Sequence, residues 1–133
     1  MPESEGTRTV RPTAPVLVVE DDPDQREAIV LALQSEGYAV VTAGTGVEAL
    51  EVLDAGAQPC MILLDLMMPE MDGVQFRNEQ LKSPSLAHIP VVVVSAFGQQ
   101  TRARYLQVAD YLRKPLELGE LLTVVERVTQ HGA

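Results

Sequence analysis

A chain of 133 residues with a net charge of −9 has room for one domain and one sizeable core. The acidic balance argues against nucleic acid or an anionic membrane as the main partner. No apolar run approaches a membrane span, and the N-terminus lacks a signal peptide's hydrophobic region; a single cysteine leaves no internal disulfide and no cysteine-based zinc site, so the expected location is the cytoplasm.

Residues 1–14 are rich in Pro, Thr, Glu and Arg without periodicity. They are expected to form a disordered leader, ahead of a domain over 15–129 and a short tail over 130–133. Pro15 opens Val16-Leu17-Val18-Val19, an apolar run expected as a buried strand, which ends on Glu20-Asp21-Asp22. Three carboxylates in succession repel one another unless something positive sits between them. Pro23 suits the first turn of a helix that Asp22 or Asp24 can cap, and Gly37 suits its stop after Glu36. Ile29, Ala32 and Leu33 form the core stripe of that helix. Gln25, Ala28 and Leu31 form a neighbouring stripe, partly apolar and expected to be exposed. A strand over 38–43, the turn Gly44-Thr45-Gly46 and a helix over 47–54 follow, with Ala49, Leu50 and Leu53 facing inward.

Cys60, expected as a packed thiol, heads Met61-Ile62-Leu63-Leu64-Asp65, a strand buried on both faces that ends on a carboxylate. Pro69, Asp72 and Gly73 break the pattern and start a turn. The helix that follows to about residue 81 is poorly amphipathic, because Arg77 and Gln80 occupy places where core is wanted. Ser83-Pro84-Ser85 and Ile89-Pro90 punctuate a loop, and Val91-Val92-Val93-Val94 then forms a strand ending on Ser95. A weakly patterned helix is expected over 98–107 and a strand over 109–113, ending on Lys114-Pro115. The last helix, over 117–129, carries a stripe of Leu118, Leu121, Leu122, Val125 and Val128.

Strand and helix alternate five times, which calls for an α/β, doubly wound five-stranded parallel sheet. The order 2-1-3-4-5 fits best, since strands one, three and four are the most apolar and therefore central. Ligands of such sheets collect beyond the carboxyl ends of the strands, at the point where the strand order reverses. Glu20, Asp21 and Asp65 converge there, and Ser95 and Lys114 close the adjacent strands on the same edge. Carboxylates with no sulfur or imidazole beside them make a hard-oxygen site suited to Mg²⁺. A lysine next to them makes sense if a second anion arrives. Phosphate fits, with Lys114 as a point charge and Ser95 as a hydroxyl donor. An Asp carboxylate can itself be the nucleophile that accepts a phosphoryl group. Each part also has an ordinary structural role open to it: caps for Glu20 to Asp22, a turn residue for Ser95, a solvated charge for Lys114. Acid pair, acid, hydroxyl and lysine on strand ends in one register favour the site.

The runs Val18-Val19-Glu20-Asp21-Asp22, Leu63-Leu64-Asp65-Leu66-Met67-Met68-Pro69-Glu70-Met71-Asp72-Gly73, Ile89-Pro90-Val91-Val92-Val93-Val94-Ser95-Ala96 and Asp110-Tyr111-Leu112-Arg113-Lys114-Pro115 are numerous, ordered and specific. On them the chain resembles the response-regulator receiver domains of two-component signalling, over about residues 15–129. The resemblance implies a flavodoxin-like fold and a phosphorylation-controlled switch, not an enzyme with its own substrate. It gives Asp65 the phosphoacceptor's role, and Glu20 and Asp21 that of the acidic pair holding Mg²⁺, with the backbone carbonyl of Met67 as a further ligand. Ser95 resembles the hydroxyl that swings toward the phosphoryl group, Tyr111 the aromatic that turns inward with it, and Lys114 the lysine that pairs with the phosphate. Ala96 matches the small residue that leaves room for the incoming group. A cis bond between Lys114 and Pro115 is implied as well.

Four features depart from the family pattern. Ser95 and Lys114 are 19 positions apart, about one helical turn fewer than is usual, which implies a shortened fourth helix. Leu116 replaces the usual Phe, Arg77 stands where an apolar residue is common, and the final helix has few basic residues, against a charge-paired dimer. The implied partners are a histidine kinase or histidine phosphotransfer protein and an unidentified downstream protein, with no direct nucleic acid contact and no membrane insertion. Gln25, Ala28 and Leu31 flank the acidic site and are expected to dock the donor's helical bundle. Met67 and Phe97, two residues after the acceptor and the hydroxyl, are expected to shield the phosphoryl group from water and lengthen its life. Two rivals stand beside this reading of a stand-alone receiver. An aspartyl-nucleophile hydrolase of the haloacid-dehalogenase type wants a second acid where Met67 stands. A pseudo-receiver scaffold that is not phosphorylated conflicts with the presence of all five site residues.

Overall fold

A computed structural model describes residues 11–66, 71–96 and 108–131. Its elements are β1 (Val16–Val19), α1 (Pro23–Ser35), β2 (Val40–Ala43), α2 (Gly46–Asp54), β3 (Met61–Asp65), α3 (Gly73–Leu81), α4 (Pro84–Ala87), β4 (Val91–Ser95), β5 (Asp110–Arg113) and α5 (Leu118–His131). All strand pairs are parallel and the sheet order is β2-β1-β3-β4-β5, as the apolar content of the strands predicts. Every residue of β1, β3 and β4 is buried, whereas β2 and β5 each expose part of one face, as edge strands can.

Side chains alternate across the sheet and so build two cores. Leu17, Val19, Ile62, Leu64, Val91 and Val93 pack with Ala49 and Leu53 of α2 and Phe76 of α3. Val16, Val18, Met61, Leu63, Val92 and Val94 pack with Ile29 and Leu33 of α1 and Leu121, Val124, Val125 and Val128 of α5. Full burial of each such side chain contributes about 1.5–3 kcal/mol, so the two layers fix which strand ends lie side by side.

Local chemistry sets the helix boundaries. Asp22 caps α1 by accepting from the backbone N–H of Asp24 at 3.0 Å and of Gln25 at 3.4 Å. Gly37, at φ +92°, turns the chain out of α1 in a conformation that L side chains rarely adopt. Thr45 caps α2 through the N–H of Glu48 at 3.0 Å. Asp72 and Gln75 form a reciprocal capping box on α3, at 2.9 and 3.0 Å.

Several expectations need correction. The segment read as a loop after α3 contains the short helix α4. Arg77 and Gln80 are buried despite their polarity because each has hydrogen-bond partners. Arg77 Nη1 donates to Gln80 Oε1 at 2.8 Å, and Gln80 Nε2 donates to the carbonyls of Leu86 at 2.8 Å and Ile89 at 3.1 Å. On α5, Leu118 is exposed and Val124 takes a place in the core stripe. Cys60 is only partly buried, and that burial raises its thiol pKa. Arg11, within the segment expected as a leader, is fastened: it donates to the carbonyl of Glu36 at 2.8 Å, lies 4.7 Å from the ring centre of Tyr38, and pairs with Glu126 at 3.5 Å. The helix expected over 98–107, with its shortening, lies outside the described residues. Among the described residues no helix is long and apolar enough to cross a membrane.

Candidate functional site

Parallel register delivers the strand ends to one edge. Val19 aligns with Leu64, Asp65 with Val94, and Ser95 with Arg113. The residues that follow β1 and β5, Glu20-Asp21 and Lys114, therefore flank the residues that end β3 and β4. One carboxylate oxygen from each of Glu20, Asp21 and Asp65 lies within 4.8 Å of the others. Asp65 is 2% exposed, and Lys114 Nζ donates to its Oδ2 at 3.1 Å. Ser95 is buried beside them, and its carbonyl accepts from the backbone N–H of Lys114 at 2.9 Å, which ties the lysine to the end of β4. The peptide bond between Lys114 and Pro115 is cis.

The electrostatics of the cluster follow from its composition. Burial, and after it the charge of Asp65, raises the pKa of Glu20 from 4.5 to about 7. The N–H of Asp22, which donates to Glu20 Oε2 at 3.2 Å, and the charge of Lys114 act in the opposite direction. Three carboxylates sharing so small a volume favour any cation that reaches them. The donor set is oxygen only, which fits Mg²⁺ rather than a thiolate- or imidazole-seeking metal. Asp21 is the exposed member and opens the cluster to solvent.

Close backbone approach also shapes the site. A Cβ on Gly73 would stand 2.8 Å from both the carbonyl oxygen of Asp65 and the Cα of Leu66. Only a bare Cα lets α3 begin directly over the end of β3. Gly46 is similar, since a Cβ there would lie 2.8 Å from the carbonyl of Met71.

Of the residues singled out from the sequence, Glu20, Asp21, Asp65, Ser95 and Lys114 come together. Tyr111 is 40% exposed on β5, and Met67 and Phe97 lie outside the described residues. On α1, Ala28 is exposed and Leu31 is 58% exposed, as the stripe predicts, whereas Gln25 is half-buried. Sequence reasoning missed Arg26, whose Nη1 donates to the carbonyl of Glu20 at 2.7 Å. Its place one helical turn after the cap Asp22 is the signal that points it back toward the site.

Comparison with known proteins agrees with this geometry. A family model described as response regulator receiver domain matches residues 16–126. The chain is 36% identical over 126 residues to the two-component response regulator ORR3 of Oryza sativa subsp. japonica, covering 92% of this chain and 96% of that protein. It is 38% identical over 123 residues to the sensor kinase CckA of Brucella abortus, covering 89% of this chain but 13% of the kinase. A solved response regulator receiver protein from Pseudomonas putida superposes with a TM-score of 0.80 at 32% identity, covering 89% of this chain and 99% of that one. The chain belongs to the response regulator receiver domains of two-component signalling.

Proposed function

We propose that this receiver domain is a switch thrown by transfer of a phosphoryl group to Asp65 from a histidine kinase or a histidine phosphotransfer protein, with Mg²⁺ bound by Glu20, Asp21 and Asp65. The observation that carries the reading is the buried Asp65 carboxylate, paired with Lys114 at 3.1 Å and clustered with two further acids. A carboxylate oxygen of Asp65 attacks phosphorus, the bond from phosphorus to the donor's imidazole nitrogen breaks, and the imidazole retains that electron pair. Glu20, Asp21 and Asp65 would hold Mg²⁺, which when bound would supply positive charge that offsets the negative charge gathered at the acceptor. The carbonyl of Met67 is a further ligand in this proposal. Lys114, already aimed at Asp65, offers its ammonium to an incoming phosphoryl oxygen, and Ser95 offers its hydroxyl to another. Tyr111 turns inward when Ser95 moves, which carries the signal to the surface. Met67 and Phe97 shield the acyl phosphate from water. Gln25, Ala28 and Leu31 receive the donor's helices, and the reaction belongs to the cytoplasm.

Mass spectrometry after incubation with acetyl phosphate and Mg²⁺ tests the assignment. One added phosphoryl group is expected, absent without Mg²⁺ and absent from Asp65→Asn. Equal modification of the variant would place the acceptor elsewhere.

A further inference from the structure

We infer that Arg26 is a positioning residue for the acidic pair, acting by pinning the peptide group that joins Glu20 to Asp21. This rests on the reading of Glu20, Asp21 and Asp65 as the cation site. Glu20 lies beyond the last residue of β1, where sheet pairing no longer holds both sides of the chain. Its N–H is still held by the carbonyl of Ala43 at 3.0 Å, and its carboxylate accepts from the N–H of Asp22 at 3.2 Å. Its carbonyl has passed the sheet edge, and there Arg26 Nη1 donates to it at 2.7 Å. A hydrogen bond from a charged donor at that distance belongs to the strong class.

The carbonyl in question belongs to the peptide plane between the two acids. Rotating that plane re-aims the Cα–Cβ bond of Asp21 relative to that of Glu20, and Asp21 is the exposed member of the pair. Arg26 is itself held. Its backbone N–H donates to the carbonyl of Asp22 at 2.8 Å, the first hydrogen-bonded turn of α1. Its guanidinium lies against the bare Cα of Gly44, where a Cβ would stand 3.5 Å from Nη1. The N–H of Gly44 is in turn held by Glu48 Oε1 at 2.6 Å. Arg26 thus lies between the loops that follow β1 and β2, and its hydrogen bond falls on the peptide that carries the ligand pair. Partners that orient metal ligands without touching the metal are commonly worth 10- to 100-fold in affinity.

The test is Mg²⁺ binding by isothermal titration calorimetry on the full chain without any phosphodonor, alongside thermal unfolding in EDTA. Arg26→Met keeps the aliphatic stem and deletes the donor. It should weaken Mg²⁺ binding by about tenfold while moving the metal-free unfolding midpoint little. Arg26→Lys keeps the charge but ends one atom short of the carbonyl, and should recover less than half of the loss on a logarithmic scale. Binding within twofold of wild type in Arg26→Met overturns the inference, and so does wild-type affinity in Arg26→Lys, which is read directly against wild type should Arg26→Met fail to fold. A wild-type chain that takes up no Mg²⁺ instead defeats the reading of the acidic cluster, and the brace with it.

Discussion

Replacing Glu20 with Gln should stabilise the metal-free protein at neutral and alkaline pH and leave it almost unchanged in acid. Glu20 is 2% exposed, and its pKa is raised from 4.5 to about 7 by burial first and by the charge of Asp65 second. An acid whose pKa is higher in the folded state keeps its proton longer there than in the unfolded chain. Unfolding between these two pKa values therefore releases a proton, and stability falls as pH rises from about 4.5 to about 7. A gap of about 2.5 pH units corresponds to about 3 kcal/mol, fully expressed above pH 7 and absent below pH 4.5. Gln has nearly the same shape and no charge to desolvate. Its advantage over the wild type should therefore grow from near zero at pH 4.5 to about 3 kcal/mol at pH 8, roughly 10 °C in midpoint for a domain of this size. Mg²⁺ should reverse the ranking, because a bound cation stabilises the folded state in proportion to its affinity and the amide removes one anionic ligand. Urea unfolding of both proteins across this pH range, in EDTA and then in Mg²⁺, reads both effects. A difference that does not change with pH, or a wild type more stable than Glu20→Gln at pH 8 in EDTA, would refute the reasoning.

Other substitutions probe the frame around the site. Gly73→Ala places a methyl group 2.8 Å from two backbone atoms of β3 and the residue after it, and should cost about 1–3 kcal/mol by urea unfolding; full retention of stability would mean that α3 can shift without resistance. Gln80→Leu leaves the carbonyls of Leu86 and Ile89 without the amide that serves both, and a loss of about 2–4 kcal/mol is expected with acetyl-phosphate labelling intact. A neutral effect would show that water replaces the amide. Leu31→Lys should slow transfer from the cognate kinase and spare labelling by acetyl phosphate; equal rates in both reactions would move the docking surface away from α1.

The sequence by itself determined the sheet and which residues gather on its edge. Apolar runs of four residues, broken by Gly and Pro and alternating with helical stripes, leave few arrangements other than a parallel doubly wound sheet. In such a sheet the residues at or just beyond the carboxyl ends of the inner strands gather on one edge, so Asp65, Ser95 and the groups beyond β1 and β5 could be located from one-dimensional order. On α5 the core takes Val124 and leaves Leu118 exposed, because a period of 3.6 does not fix which flank of a stripe meets the neighbouring helix. Packing beside α1 and Tyr38 made that choice.

Only the tertiary structure decided the polar contacts. Hydrophobic periodicity registers what a side chain is, not which donor or acceptor waits for it. Arg77 and Gln80 therefore looked misplaced until Gln80 met the carbonyls of Leu86 and Ile89. Arg11 looked like part of a loose leader until Glu36, Tyr38 and Glu126 closed around it. The carbonyl that Arg26 holds is backbone, so its identity came only with the folded loop after β1. The raised pKa of Glu20 has the same origin: burial, and after it the charge of Asp65, acts on Glu20 only once the sheet has brought strand ends that are far apart in the chain within a few ångströms.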